Sequence, residues 1–194
     1  MRDIFNKMVG RNRYVGFRLF LHLGGSEVAP ILGVLNSAAP REEDDINDLG
    51  ERLVEICESL LEYDDYWLSA TNEGEVYSDE NEVAQYIDEL FIDSSQRYGS
   101  GIELSSDSGL ERPLSIPVTR NVVVIITVVY TGEAPDLETD LSNISALQKG
   151  LKSLIQLHYQ NRLLGFYLHF SPSRLGEELS NDQLLQYYPE LIPL

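Results

Sequence analysis

The stretch Asn121-Val122-Val123-Val124-Ile125-Ile126-Thr127-Val128-Val129-Tyr130-Thr131 sets the frame for the whole chain. Its Val, Ile and Thr residues fall on both faces of an extended backbone. β-Branched side chains suit a pleated surface, and a strand that is apolar on both faces is one that has material packed above and below it. The stretch therefore reads as a central strand covered on both sides, or nearly so.

Downstream of it, Ile144, Leu147, Leu151, Leu154 and Ile155 repeat at three- and four-residue steps, which is helical spacing. Leu163 to Phe170 returns to an apolar, aromatic strand with Phe166, Leu168 and Phe170 on one face. Ser180 and Gln183 then frame a capping box ahead of Leu184 and Leu185, and Pro189 stops that short helix. The apolar tail Tyr188 to Leu194 is most simply docked on the domain; left free, it would serve a partner as an added strand.

Upstream, residues 94–117 are rich in Ser, Gly and Pro and read as a mobile loop between two halves of the fold. Ahead of that loop Asp79 and Glu82 have capping-box spacing, and Val83, Tyr86, Ile87, Leu90 and Phe91 form an apolar helical stripe. Tyr66 to Tyr77 reads as a short strand, with a hairpin around Asn72, Glu73 and Gly74 as its alternative. Tyr66 and Trp67 at its start are core anchors, because aromatic rings bury large apolar areas. Residues 42–63 place Ile46, Leu49, Leu53, Ile56, Cys57, Leu60 and Leu61 on one helical face, with Glu42 to Asp45 at the positive end of the helix dipole. Gly50 in that helix costs up to about 1 kcal/mol relative to Ala, and so marks a close packing contact. Tyr14 to Leu23 alternates, with Val15, Phe17, Leu19, Leu21 and Leu23 on one side and Tyr14, Arg18 and His22 opposite. The order of elements gives an α+β fold: one antiparallel or mixed β-sheet with helices packed mainly on one face, as a single domain over residues 14–194 behind an arm of residues 1–13.

Composition bounds the function. The 194 residues are 43% hydrophobic and 24% charged, close to the globular average, and carry a formal net charge of -18. That charge argues against a nucleic-acid reader working through phosphate contacts. Residues 1–41 hold six basic and two acidic residues, residues 42–111 hold 22 acids against Arg52 and Arg97, and residues 112–194 are nearly balanced. A basic head and an acidic middle point to interaction surfaces. The run from Tyr14 to Leu35 is broken by Arg18, His22 and Glu27, so it is read as neither a membrane span nor a signal peptide.

Chemistry is sparse. Cys57 stands alone and excludes an internal disulfide or a multi-cysteine metal site. Neither Gly24-Gly25 nor Gly99-Ser100-Gly101 completes a phosphate-binding loop, and the stretch from Asp45 fails as a calcium loop at Leu49 and Ile56. His22, His158 and His169 form no close ligand pair, and His169, out of phase with its apolar neighbours, is expected to face solvent or a partner. No catalytic residue, metal or cofactor is expected. The one local feature with a mechanism is the arm. Ile4, Phe5, Met8 and Val9 share a helical face ringed by Arg2, Lys7, Arg11 and Arg13, a pattern that can lie on an anionic membrane surface or hold a partner, with packing of the four apolar residues on the protein's own core, or a disordered arm, as the alternatives. Arg2, Phe5, Lys7, Met8, Arg11 and Arg13 are the candidate contact residues.

Three further segments carry a family likeness: Leu60-Leu61-Glu62-Tyr63-Asp64-Asp65-Tyr66-Trp67, the valine-rich strand Asn121 to Gly132, and Asp182-Gln183-Leu184-Leu185-Gln186-Tyr187-Tyr188-Pro189-Glu190-Leu191-Ile192-Pro193-Leu194. In this order the chain resembles domain-of-unknown-function family 1517 of cyanobacteria and chloroplasts. It departs from the family at Tyr63-Asp64-Asp65, where members often have a basic, proline-bearing turn. The family supplies no catalytic residues. The resemblance implies a non-enzymatic accessory protein of photosynthetic membranes, cytoplasmic or stromal and peripheral to the thylakoid. Its partner would be a membrane-associated photosynthetic complex or its assembly machinery. The alternatives are a small-molecule binding domain or enzyme with a cleft between sheet and helices, and self-association through the edge of the valine-rich strand.

Overall fold

Apolar side chains on both faces of a strand require two covering layers, and the computed structural model, which describes residues 13–100, 119–174, 176–177 and 179–194, provides them. Strand β1 (Tyr14–Gly24) is followed by helices α1 (Ile31–Ser37) and α2 (Ile46–Glu62), strand β2 (Trp67–Tyr77), helix α3 (Glu80–Ser100) and strand β3 (Asn121–Thr131). Helix α4 (Ile144–Tyr159), strand β4 (Leu163–Ser171), helix α5 (Asn181–Tyr187) and the two-residue strand β5 (Ile192–Pro193) complete the order. One sheet results, in the order β4-β3-β1-β2-β5, and every pairing is antiparallel. The α+β class holds.

The first face of the sheet carries Val15, Phe17, Leu19, Leu21 and Leu23 of β1 and Val122, Val124, Ile126, Val128 and Tyr130 of β3. Helices α1, α2 and α4 cover it with Ile31, Leu35, Leu53, Ile56, Leu60, Leu151 and Leu154, all fully buried. Each such side chain contributes about 1.5–3 kcal/mol relative to exposure. Asp45 caps α2 by accepting from the N–H groups of Asn47 (2.8 Å) and Asp48 (2.9 Å), and Asp48 returns the bond to Asp45 N–H. Gly50 fulfils its expectation, since a Cβ there would lie 2.0 Å from His158 Nδ1 of α4. Trp67 is buried and its indole N–H donates to Leu60 O at 3.2 Å.

The second face is built in two patches. Val83, Ile87 and Leu90 of α3 pack near the ends of β1 and β2 around Tyr14 and Tyr77, while Leu179, Leu184 and Tyr188 cover Phe20, Val123 and Ile125. Arg18 occupies the seam between them. This residue is only 4% exposed; it donates to Asp93 (2.6 Å), Ser94 Oγ (3.0 Å), Leu90 O (3.1 Å) and Glu73, and stacks over the Phe20 ring. Arg97 extends the network to Asp93 and Glu190, which ties α3 to the segment after α5.

Several expectations change against this frame. β2 is one continuous strand and not a hairpin; Gly74 lies opposite Phe17, where a Cβ would approach Gly16 O to 3.0 Å, so it marks a close strand contact. α3 runs through Ser100, so residues 94–100 are helical where a loop was expected; residues 101–117 lie outside the described residues. α1 and β5 have no counterpart in the sequence reading. The valine-rich β3 is flanked by β1 and β4, leaving it no edge through which to self-associate. The tail is docked, with Ile192 and Pro193 paired to Ala70 and Ser69 and Leu194 N donating to Leu68 O at 3.0 Å.

Candidate functional site

Of the residues expected to contact a membrane or partner, Arg2, Phe5, Lys7, Met8 and Arg11 lie outside the described residues. Arg13 is tied to the domain. Its guanidinium donates twice to Glu138, at 2.8 Å each, and once to Gly132 O at 2.5 Å. Burial pushes the Glu138 carboxyl up, but the hydrogen bonds from Arg13 and Ala134 N–H, with the charges of Arg13 and Arg162, together hold the group below the ordinary carboxylate value.

The acidic middle of the sequence resolves into an ordered surface on α2. Asp48, Glu51, Glu55, Glu58 and Glu62 are spaced 3, 4, 3 and 4 apart, so they stack along one side of the helix, and all five are exposed. The ridge is about 21 Å long at 1.5 Å per residue. Among the described residues none of the five pairs with an Arg or Lys side chain; Arg52 beside them is engaged by Asp44. Like charges at this spacing destabilise a helix by a few tenths of a kcal/mol per pair, a cost that a cationic surface would remove.

A second arrangement lies on the opposite side of the sheet. Register places His22 of β1 beside Ser69 of β2, and Asn121 at the start of β3 reaches the other edge of the same imidazole. Asn121 Nδ2 donates to Leu179 O at 2.8 Å, which turns its Oδ1 toward His22 Nε2 at 3.1 Å. Nε2 must then carry the proton, leaving Nδ1 as the acceptor for the Ser69 hydroxyl at 3.1 Å. Burial pushes the His22 pKa down, opposed in part by the Asn121 hydrogen bond, so the neutral ring is favoured. Ser69 and His22 floor a cavity of about 310 Å³ whose walls are Asn181, Leu184, Leu185, Tyr188, Pro189, Leu191 and Pro193. This floor can accept a hydrogen bond at Ser69 Oγ and take up a proton at His22 Nδ1.

His169 departs from its expectation. α3 covers it; Nε2 lies 3.2 Å from Ser95 Oγ and its ring packs against Phe91. Cys57 is fully buried in α2, and that burial pushes its thiol well up, as suits an inert core residue. Among the described residues no group of three or more His, Cys, Asp or Glu is arranged to hold a metal ion, and no helix is long and apolar enough to cross a membrane. Sequence reasoning missed Ser69 and Asn121 as partners of His22. The available signal was polar residues interrupting apolar strands, but the register that joins them is a tertiary property.

An α+β domain with one five-stranded antiparallel sheet, an acidic helical ridge and a polar-floored cavity is thus the class to which the chain belongs. The family model described as Protein of unknown function (DUF1517) matches residues 15–194, and the chain is a member of that family. No curated protein and no solved structure shows a significant match to it.

Proposed function

We propose that this protein is a non-enzymatic docking module that presents the α2 ridge to a basic partner surface at photosynthetic membranes. The observation that carries the proposal is the row Asp48, Glu51, Glu55, Glu58 and Glu62, exposed and, among the described residues, without an ion pair to Arg or Lys, the neighbouring Arg52 being bonded to Asp44. A row of this length steers a cationic surface toward it, with an attraction that falls off over about 8 Å at physiological salt. The photosynthetic setting comes from the family resemblance. The basic residues of the arm, Arg2, Lys7 and Arg11, complement the ridge by favouring an anionic lipid surface, which the ridge itself avoids.

Co-sedimentation with isolated thylakoid membranes tests this. The full chain should pellet at about 20 mM salt and be released at about 300 mM, and a Glu51→Gln, Glu55→Gln, Glu58→Gln variant should pellet less at about 20 mM. A chain lacking residues 1–12 separates the arm's share from the ridge's. Equal pelleting of the wild-type and charge-neutralised chains would overturn the assignment of the ridge.

A further inference from the structure

The cavity over His22 and Ser69 has an unusual lining for this chain. With a net charge of -18 overall, the protein nevertheless lines this space, among the described residues, with no Asp, Glu, Lys or Arg: Leu184, Leu185, Tyr188, Leu191 and two prolines form the walls. At about 310 Å³ it falls at the lower end of the range of small-molecule pockets. The polar side chains of its described lining are His22, Ser69, Asn181 and Tyr188, and the Tyr188 hydroxyl is hydrogen-bonded to Ser171.

The hydrogen-bond directions on that floor are set by the backbone. Leu179 O fixes the Asn121 amide, Asn121 Oδ1 fixes the proton on His22 Nε2, and His22 Nδ1 then accepts the Ser69 proton. The Ser69 hydroxyl has used its one donor, and its oxygen lone pairs remain as the acceptor at the base of the cavity. A ligand that fits must therefore donate a hydrogen bond there and be apolar elsewhere. An anion finds no Arg or Lys among the described lining residues and would lose its hydration without compensation. A carboxylate is thus excluded on the same grounds that favour an alcohol.

We infer that this cavity is a binding site for an uncharged, predominantly apolar molecule bearing one hydrogen-bond donor, a medium-chain or terpenoid alcohol in chemical class, with Ser69 Oγ as the acceptor that orients it. The site is independent of the α2 ridge, which lies on the other side of the sheet. Leu185, 75% exposed at the rim, is the residue through which the mouth can be closed without disturbing the core.

Saturation-transfer NMR on the full chain at about pH 8, with 1-octanol, methyl heptyl ether and octanoate as probes, tests the inference. The alcohol should bind, the ether should bind about 3- to 10-fold more weakly for want of the donor, and octanoate at least about tenfold more weakly. Ser69→Ala should bring alcohol and ether to equal affinity, and Leu185→Trp should weaken all binding, each variant checked for native circular dichroism. Should Ser69→Ala fail to fold, the ranking of the three probes on the wild-type chain still decides. No transfer from 1-octanol at millimolar concentration, octanoate binding as well as the alcohol, or an alcohol preference that survives in Ser69→Ala would overturn it.

Discussion

Replacing Arg18 with Met tests whether the ion network at the seam of the second face holds α3 to the sheet. The side chain is 5% exposed, yet its carboxylate partners Glu73 and Asp93 are 46% and 41% exposed, so both rehydrate when the guanidinium is removed. Each of those pairs is accordingly worth about 0.5 kcal/mol. Leu90 O and Ser94 Oγ, the buried acceptors, retain a bond to one another at 2.8 Å, which limits their combined loss to about 1 kcal/mol. The stacking of the guanidinium on Phe20 is partly replaced by the Met thioether. The expected destabilisation is about 2 kcal/mol, and with an m-value near 2 kcal/mol/M the urea midpoint should fall by about 1 M. A cycle with Asp93→Asn gives the sharper test, because the two changes remove one shared interaction and the double variant should lose about 0.5 kcal/mol less than the single losses combined. A midpoint shift under about 0.2 M, or strict additivity in the cycle, would refute the seam as a source of stability.

Gly50→Ala should destabilise the domain by about 2 kcal/mol, since the new methyl collides with His158, and adding His158→Ala should recover most of that loss in calorimetric Tm. Burial lowers the pKa values of His22 and His169 from 6.5, with Arg18 adding to the effect at His169. The unfolded chain therefore binds their protons first, and stability should be complete above about pH 6.5 and decline as pH falls below it. For Asp93 and Glu138 burial raises the carboxyl pKa, but Arg18 with Arg97 at Asp93, and Arg13 with Ala134 N–H and Arg162 at Glu138, together lower it, so a second decline should set in below about pH 4; urea midpoints across the range should show both, the upper one weakened in His22→Asn. Cys57 should be inert to Ellman's reagent in the native protein and react fully once the chain is unfolded in guanidinium.

Patterns that repeat within a single element were legible in the sequence. The valine run gave β3 its place inside the sheet, Ser180 marked a true helix start, the helix expected over 42–63 begins at Ile46 with Asp45 as its cap, and the odd-numbered residues of β1 from Val15 to Leu23 do face the main core. What escaped depended on partners far along the chain. Arg18 reads as an outward-facing charge on an alternating strand, and becomes buried because α3 brings Asp93 and Ser94 over it. His169 is covered for the same reason. Helix α1 is short and uncharged, so neither caps nor an amphipathic stripe announced it. The cavity floor needed three strands in register, and no local pattern encodes that.

The central position of β1 has a kinetic consequence. Its His22 meets Ser69 across 47 residues and Asn121 across 99, so both ladders close long loops before any pairing is gained. Chains with such distant contacts fold slowly. A slip of one residue in either ladder would turn His22 toward the opposite face and leave Ser69 Oγ without its imidazole. The floor therefore exists only in the fully registered sheet, and the regain of alcohol binding during refolding would time the arrival of the last strand.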